Sequence, residues 1–413
     1  MNLTLSPRPI GGKIRAIASK SQAHRLLICA AFAEKPTKII CSERSQDIDA
    51  TARCLSALGA EIDYCGNTFT VYPLTMPRFD AVLDCGESGS TLRFMLPIVA
   101  ALGVSADFIL HGRLSQRPLS PLWELLEENG ISLTWANENT LHVEGKFRSG
   151  SYRIAGDVSS QFITGLLFAL PLIGGESDIM LTSPLQSAPY VDMTLAALRR
   201  FGIEVEPKEN GWHLPSGLSY KSCASVQVEG DWSNAAFWLC AGAICAPMTV
   251  SGLDFSSPQG DRTILEVLKN FGAEIAFDGD SVTVSPAQLH GITLDASDIP
   301  DLVPPIALVA ACAKGITRIF GAERLKIKES DRLQSVSETL NQLGGKVSVT
   351  DDGLIIEGSA LLGGCVDSHN DHRIAMLTAI ASTVSRGAIE LNGADAVKKS
   401  YPRFWEDFKS LVI

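Results

Sequence analysis

Five glycines recur along the chain at nearly constant spacing. Gly59, Gly130, Gly202, Gly272 and Gly344 are separated by 71, 72, 70 and 72 residues. Each closes an amphipathic run and opens an alternating one, as in Val267-Leu-Lys-Asn-Phe-Gly-Ala-Glu-Ile275. A fixed period of this length marks repeated supersecondary units, none of which can bury its apolar face alone. The glycine has a steric role: a helix that ends in the left-handed conformation favours a residue without a Cβ. Alternation after it, as in Ala273-Glu-Ile-Ala-Phe277, predicts a strand, and a second short run completes a hairpin at residues 68–71, 140–143, 281–284 and 354–357. A sixth glycine would fall just past residue 413, so residues 404–412 read as a sixth copy cut off at its end.

A second helix family lies between these, with starts near Ser19, Ser88, Ser159, Ser233, Pro300 and His369. Each opens on small or polar residues and turns almost continuously apolar, as in Phe162-Ile-Thr-Gly-Leu-Leu-Phe168. Helices apolar all round belong inside a domain. The unit is therefore about two helices and four strands, and six units suggest two domains of three. A bare tandem scaffold would repeat its surface residues too, whereas these helix starts differ sharply in polar content.

Composition narrows the function. With 35 basic against 46 acidic residues the net charge is −11, which argues against a general nucleic-acid or anionic-membrane binder. The ten cysteines include no Cys-x-x-Cys pair, and residues 1–20 lack the apolar core of a signal peptide. We expect reduced, mostly buried thiols in a cytoplasmic protein. The apolar stretch 162–175 is interrupted by Pro171 and too short to span a bilayer.

The polar helix starts carry the chemistry. Ser19-Lys-Ser-Gln-Ala-His-Arg25 puts Lys20, Ser21 and Arg25 at a helix N-terminus, where backbone N–H groups and the dipole favour an anion. Cys85-Gly-Glu-Ser-Gly-Ser-Thr-Leu-Arg93 repeats the idea, with glycines that admit close approach of a ligand. Ser159-Ser-Gln161 offers two hydroxyls and an amide, and by itself is equally a helix cap. Asp301 opens an apolar helix as a cap or as a base on a hydroxyl. Lys328, Glu329 and Arg332 cluster in Lys326-Ile-Lys-Glu-Ser-Asp-Arg332, a run that taken alone is a solvated face. His369 and His372 have His-x-x-His spacing, yet no further ligand set accompanies them, and no metal site is expected. Lys20, Arg25, Arg93, Arg117, Arg332, Arg373 and Lys399 concentrate at unit junctions of an acidic chain, which suits a substrate with several negative charges.

With these motifs in order, the chain resembles the EPSP synthases (3-phosphoshikimate 1-carboxyvinyltransferases) of the enolpyruvyl transferase family over nearly its whole length. The resemblance rests on Ser19-Lys-Ser with Arg25, Gly86-Glu-Ser-Gly-Ser-Thr-Leu-Arg93, Gln116-Arg-Pro118, Ser159-Ser-Gln161, Ser187-Ala-Pro-Tyr190, Ile299-Pro-Asp301, Lys328-Glu-Ser-Asp-Arg332, Asn370-Asp-His-Arg373 and Lys399-Ser-Tyr-Pro402. It implies an α/β fold: a two-domain inside-out α/β barrel, each domain three βαβαββ units around buried helices. The domains would be 1–17 with 230–413, carrying the proton-transfer carboxylates, and an inserted 18–229, carrying most of the phosphoshikimate site.

The resemblance also implies the reaction: the 5-hydroxyl of 3-phosphoshikimate attacks carbon 2 of phosphoenolpyruvate (PEP), and phosphate leaves a tetrahedral intermediate. No metal or organic cofactor is implied, and the expected state is a monomer. By carry-over, Lys20, Ser21, Arg25, Ser159, Ser160, Gln161, Ser187, Asp301 and Lys328 hold 3-phosphoshikimate. Lys20, Gly89, Arg117, Gln161, Arg332, Arg373 and Lys399 hold PEP. Asp301 is the expected base, and Glu329 the proton shuttle with Lys20 assisting. Because two anions repel, domain closure around both ligands is expected. Glu87 departs from relatives that carry Asn there, and Arg324 likewise. Retained Gly89 implies sensitivity to glyphosate. Two other readings are a sister transferase acting on UDP-N-acetylglucosamine and a non-catalytic phospho-metabolite sensor. Against the first stand the pair Lys20-Ser21 and the lack of a Cys between Cys85 and Cys223; against the second stand Asp301 and Glu329.

Overall fold

Each copy of the repeat is built from two helices and a small sheet. The structure is a computed structural model and describes residues 1–413. Its helices are α1 (Lys20–Ala31), α2 (Gln46–Leu58), α3 (Gly89–Leu102), α4 (Leu122–Glu128), α5 (Ser160–Ala169), α6 (Ala188–Arg200), α7 (Trp232–Ile244), α8 (Ile264–Phe271), α9 (Val303–Cys312), α10 (Arg332–Gln342), α11 (His372–Ser382) and α12 (Phe404–Ser410). Gly59, Gly130, Gly202, Gly272 and Gly344 follow the even-numbered helices α2 to α10 with φ from 75° to 120°. That is the region closed to most L side chains and the reason for the glycine period. The odd-numbered helices are the apolar family. Their starts lie close to those expected, the largest shifts being at α9, which begins at Val303, and at α11, which begins at His372 behind its cap Asp371.

The sheets share one order. Ala81–Gly86, Ala106–Leu110, Thr140–Gly145 and Ile131–Asn137 lie side by side, the first pair parallel and the others antiparallel. The same order recurs from Ser151–Ile154 through Ser177–Leu181, and from Thr293–Asp295 through Ile316–Phe320. This is strand, helix, parallel strand, helix, hairpin.

Chain contacts divide the molecule into two compact units, Met1–Ile17 with Glu229–Ile413, and Ala18–Val228. The return crossing thus falls after Val228, one residue before the boundary read from the sequence. Two strands are exchanged at these crossings. Gly12–Arg15, which precedes α1, pairs not with Thr37–Ile40 of its own repeat but with Met248–Ser251. Conversely, Ser225–Gln227, which precedes α7, pairs with Thr37–Ile40. Each crossing therefore comes directly after a strand laid into the unit being left. The sixth copy is not simply cut off. Leu3–Leu5 pairs antiparallel with Ile389–Asn392, and Ile10 bridges Val412, so the chain start fills the place of the missing hairpin strand.

Each unit has its own core. In Ala18–Val228 it is built on α1, α3 and α5, and in the other unit on α7, α9 and α11. α3 and α5 pack closely because Gly165 has no side chain: a Cβ there would stand 2.4 Å from the Arg93 carbonyl oxygen. The approach brings Arg93 of α3 against Gln161 of α5. The ten cysteines are all free, but only Cys29, Cys41, Cys54, Cys85 and Cys240 are buried, and Cys65 and Cys365 are exposed, which corrects the expectation of mostly buried thiols. No helix is long and apolar enough to cross a membrane.

Candidate active site

In the unit Ala18–Val228, three helix N-termini carry the expected residues. Ser19, Ser88 and Ser159 are N-caps of α1, α3 and α5, their hydroxyls accepting from the backbone N–H of Gln22, Thr91 and Gln161. The remaining first-turn N–H groups and the positive dipole ends face outward from these caps. Lys20 Nζ lies 2.8 Å from Asp47 Oδ2 in a mostly buried pair. Arg25 is buried and fixed on three sides: Nε donates to Thr194 Oγ1 at 2.9 Å, Nη1 to the Ser21 carbonyl at 2.6 Å and Nη2 to the Tyr190 carbonyl at 2.7 Å. Burial lowers its pKa to about 10, so it stays charged at neutral pH. Through Arg25 the start of α1 is tied to α6, whose N-cap Ser187 holds a left-handed φ of 56°. A non-glycine residue there costs about 1–3 kcal/mol and persists only where the surroundings enforce it.

The start of α3 is the tightest cationic point of this unit. A Cβ on Gly89 would stand 2.5 Å from Nη1 of both Arg93 and Arg117. Arg93 also donates to Gln161 Oε1 at 3.3 Å, and Gln161 Nε2 donates to Ser90 Oγ at 2.9 Å. Arg117 Nε is buried without a hydrogen-bond partner. Gly89, Ser90, Arg93, Arg117 and Gln161 thus form one cluster. Glu87 packs against Gly112, where a Cβ would stand 2.6 Å from its Cδ; the glycine leaves room for the carboxylate.

The other unit carries the carboxylates. Arg332 on α10 is 2% exposed and binds three of them. Its Nη1 meets Asp301 Oδ1 at 2.8 Å, its Nη2 Glu329 Oε2 at 2.6 Å and its Nε Asp371 Oδ2 at 2.7 Å. Arg373 Nη2 meets Asp301 Oδ2 at 2.9 Å, so the Asp301 carboxylate lies between two guanidinium groups. Burial pushes the Asp301 pKa up, but Arg373, Arg332 and Lys328 outweigh it and hold the group well below the usual carboxylate range. Lys328 goes the other way: burial lowers its pKa to about 8 despite the nearby Asp301. Lys399 is buried and donates to the Asn370 carbonyl at 2.6 Å. Arg324 donates to the Ser297 carbonyl at 2.5 Å.

The start of α7, one of the apolar helices, is filled from within: the Ser233 hydroxyl donates to Asp261 Oδ2. Burial, together with the charge on Asp301, raises the Asp261 pKa to about 7. His369 Nε2 lies 3.6 Å from Glu338, His372 is buried beside Asp371, and no group of three His, Cys, Asp or Glu side chains has a metal-holding arrangement. Sequence reading assigned no individual role to Asp47, Tyr190, Thr194 or Asp371. Only Asp371 had a local signal, its place two residues before Arg373 at the start of an apolar run.

Six copies of one α/β unit in two bodies, with guanidinium-rich helix starts in one and a carboxylate–arginine cluster in the other, define a protein that handles small polyanions and moves protons beside them. The comparisons make this specific. The family model described as EPSP synthase (3-phosphoshikimate 1-carboxyvinyltransferase) matches residues 5–408. The 3-phosphoshikimate 1-carboxyvinyltransferase of Clostridium kluyveri is 40% identical over 99% of this chain and 97% of that protein. The enzyme of the same name from Clostridium perfringens is 41% identical over 98% of this chain and 97% of its own length. The solved EPSP synthase of Acinetobacter baumannii superposes with a TM-score of 0.82 at 26% identity, covering 100% of this chain and 98% of that one. The chain belongs to the EPSP synthase family.

Proposed function

We propose that Asp301, Glu329 and Lys20 carry the proton transfers as this chain moves the enolpyruvyl group of PEP to the 5-hydroxyl of 3-phosphoshikimate. The hydroxyl oxygen bonds to carbon 2 of PEP while its proton passes to Asp301, and Glu329 protonates the methylene carbon. The carbon–oxygen bond to phosphate then breaks, the phosphate leaving with the proton that Asp301 took, the new methyl group gives a proton back to Glu329, and the enolpyruvyl ether remains. The observation that carries the reading is the Asp301 carboxylate held between Arg332 and Arg373. In that grip it is a weak base. PEP brings its own anionic oxygens to the same guanidinium groups, draws them from Asp301 and raises its basicity at the moment the hydroxyl is in place. Arg332, Arg373, Lys399, Gly89 and Arg117 bind PEP in this reading. Ser21, Arg25, Ser159, Ser160, Ser187 and Lys328 bind 3-phosphoshikimate, Gln161 touching both ligands. We read the chain as a cytoplasmic monomer acting on these two anions.

Gly89→Ala tests the division between ligands. The added methyl collides only with the ends of two flexible side chains, so the fold survives while both guanidinium groups shift. Losing a hydrogen bond to a charged group costs about 1.5–3 kcal/mol. The KM for PEP should rise about tenfold or more and glyphosate inhibition should weaken, with the KM for 3-phosphoshikimate within about twofold. Arg25→Ala should do the converse. Steady-state kinetics with each substrate varied decides it; equal effects of both variants on both KM values would undo the assignment.

Lys328 gives a pH signature. Its pKa of about 8 means that the ammonium charge is lost as pH rises through that value. The substrate phosphate is already doubly ionised there. The KM for 3-phosphoshikimate should therefore climb between pH 7.5 and 9.5, and Lys328→Met should start higher and stay flat. A parallel climb in the variant would remove Lys328 from the site.

A further inference from the structure

A chain of buried polar groups behind α3 is not used by any binding role assigned above. His24 Nδ1 lies 2.6 Å from Thr51 Oγ1, and Thr51 Oγ1 lies 2.7 Å from Thr91 Oγ1. The Thr91 hydroxyl donates to Ser88 Oγ at 2.8 Å. All four residues are buried, and they belong to α1, α2, α3 and the α3 cap in turn.

The direction of this chain follows from counting protons. A hydroxyl has one proton to give. That of Thr91 goes to Ser88, so the Thr51 proton must go to Thr91, and His24 must donate from Nδ1. Burial, with the charges of Lys20 and Arg25 close by, keeps the imidazole neutral, so its single proton sits on Nδ1. Nε2 carries none and is buried without a polar partner, in a ring set edge-on to Phe94 at 6.4 Å. Ser88 Oγ receives both the Thr91 hydroxyl and, at 3.3 Å, the Thr91 N–H. The cap that sets the first turn of α3 is thus held from its far side by a histidine on α1.

We propose that His24 is a positioning residue: through Thr51 and Thr91 it orients Ser88 and fixes the Gly89–Ser90 turn that receives PEP. The inference rests on the assignment of that turn to PEP.

The test compares His24→Leu, His24→Asn and Thr51→Val with Gly89→Ala as reference, in full-length protein with both substrates varied. His24→Leu and Thr51→Val each cut the chain and should raise the KM for PEP about fivefold, the scale of one buried hydrogen bond. The KM for 3-phosphoshikimate should stay within about twofold. His24→Asn puts an amide N–H near the place of Nδ1–H and should restore the PEP value. The double variant His24→Leu/Thr51→Val should be no worse than either single one, because both cut the same chain. An unchanged KM for PEP in Thr51→Val, with Gly89→Ala still raising it, overturns the proposal. So does an equal rise in both KM values, the mark of a merely structural role. If Gly89→Ala too leaves the PEP value unchanged, the assignment of α3 to PEP has failed first, and the relay falls with it.

Discussion

Asp301→Asn should lower kcat by about 10²–10⁴, the usual contribution of a positioned base, while protein stability falls far less than activity. The substitution keeps the size of the side chain and removes only its capacity to take a proton. Its neighbours explain why the loss is specific. Asp301 accepts from Arg332 at 2.8 Å and from Arg373 at 2.9 Å, so an amide still offers one acceptor oxygen to this pair. Because the guanidinium groups hold its pKa below the ordinary value of 3.8, Asp301 stays ionised as pH falls through the weakly acidic range. The acid limb of kcat/KM above pH 5 should therefore survive in shape when Asp301 is replaced, at much reduced height. A kcat within tenfold of the parent would assign the base elsewhere.

The second large effect is on stability. Arg332→Met should destabilise the unit Met1–Ile17 with Glu229–Ile413 by about 3–5 kcal/mol, the range for stranding a buried charge. One guanidinium here answers Asp301, Glu329 and Asp371, and Asp371 is fully buried. Asp371 is doubly committed, since its Oδ1 also caps α11 by accepting from the Arg373 N–H at 2.9 Å. Arg332→Lys should recover little, because a point charge cannot reach three carboxylates in a fixed fork. Asp301 adds a pH dependence of defined sign. A carboxylate with a depressed folded pKa contributes fully above its unfolded value and loses that contribution as pH falls below it. The parent should lose stability below about pH 4, and Arg332→Met should lose less there, having less to lose. Urea unfolding at pH 7 and pH 3.5 reads both; a variant as stable as the parent at pH 7 would contradict the account of the cluster.

Much of this was legible in the chain because its signals are local. A glycine that must take positive φ leaves a mark at its own position, and five such marks at one period expose the repeat. Serine caps followed by apolar runs mark α1, α3 and α5 in the same way. What stayed hidden depends on partners far apart in sequence. Nothing in Leu3–Leu5 says that its neighbour is Ile389–Asn392, and nothing near Gly12 says that its strand leaves its own repeat for Met248–Ser251. The α7 start looked like its siblings, yet Asp261 fills it from 28 residues away. Arg332 stood out as one cation among several; its hold on Asp371 crosses 39 residues, and only folding reveals it. His24 carried no polar pattern of its own, since its meaning lies in two threonines on other helices.

The most direct test of the central claim is phosphate release from PEP by the purified chain, with and without 3-phosphoshikimate, in the presence of a metal chelator. The account predicts release that requires 3-phosphoshikimate, ignores the chelator and nearly vanishes in Asp301→Asn. Release that proceeds without 3-phosphoshikimate, or that only UDP-N-acetylglucosamine supports, would contradict it.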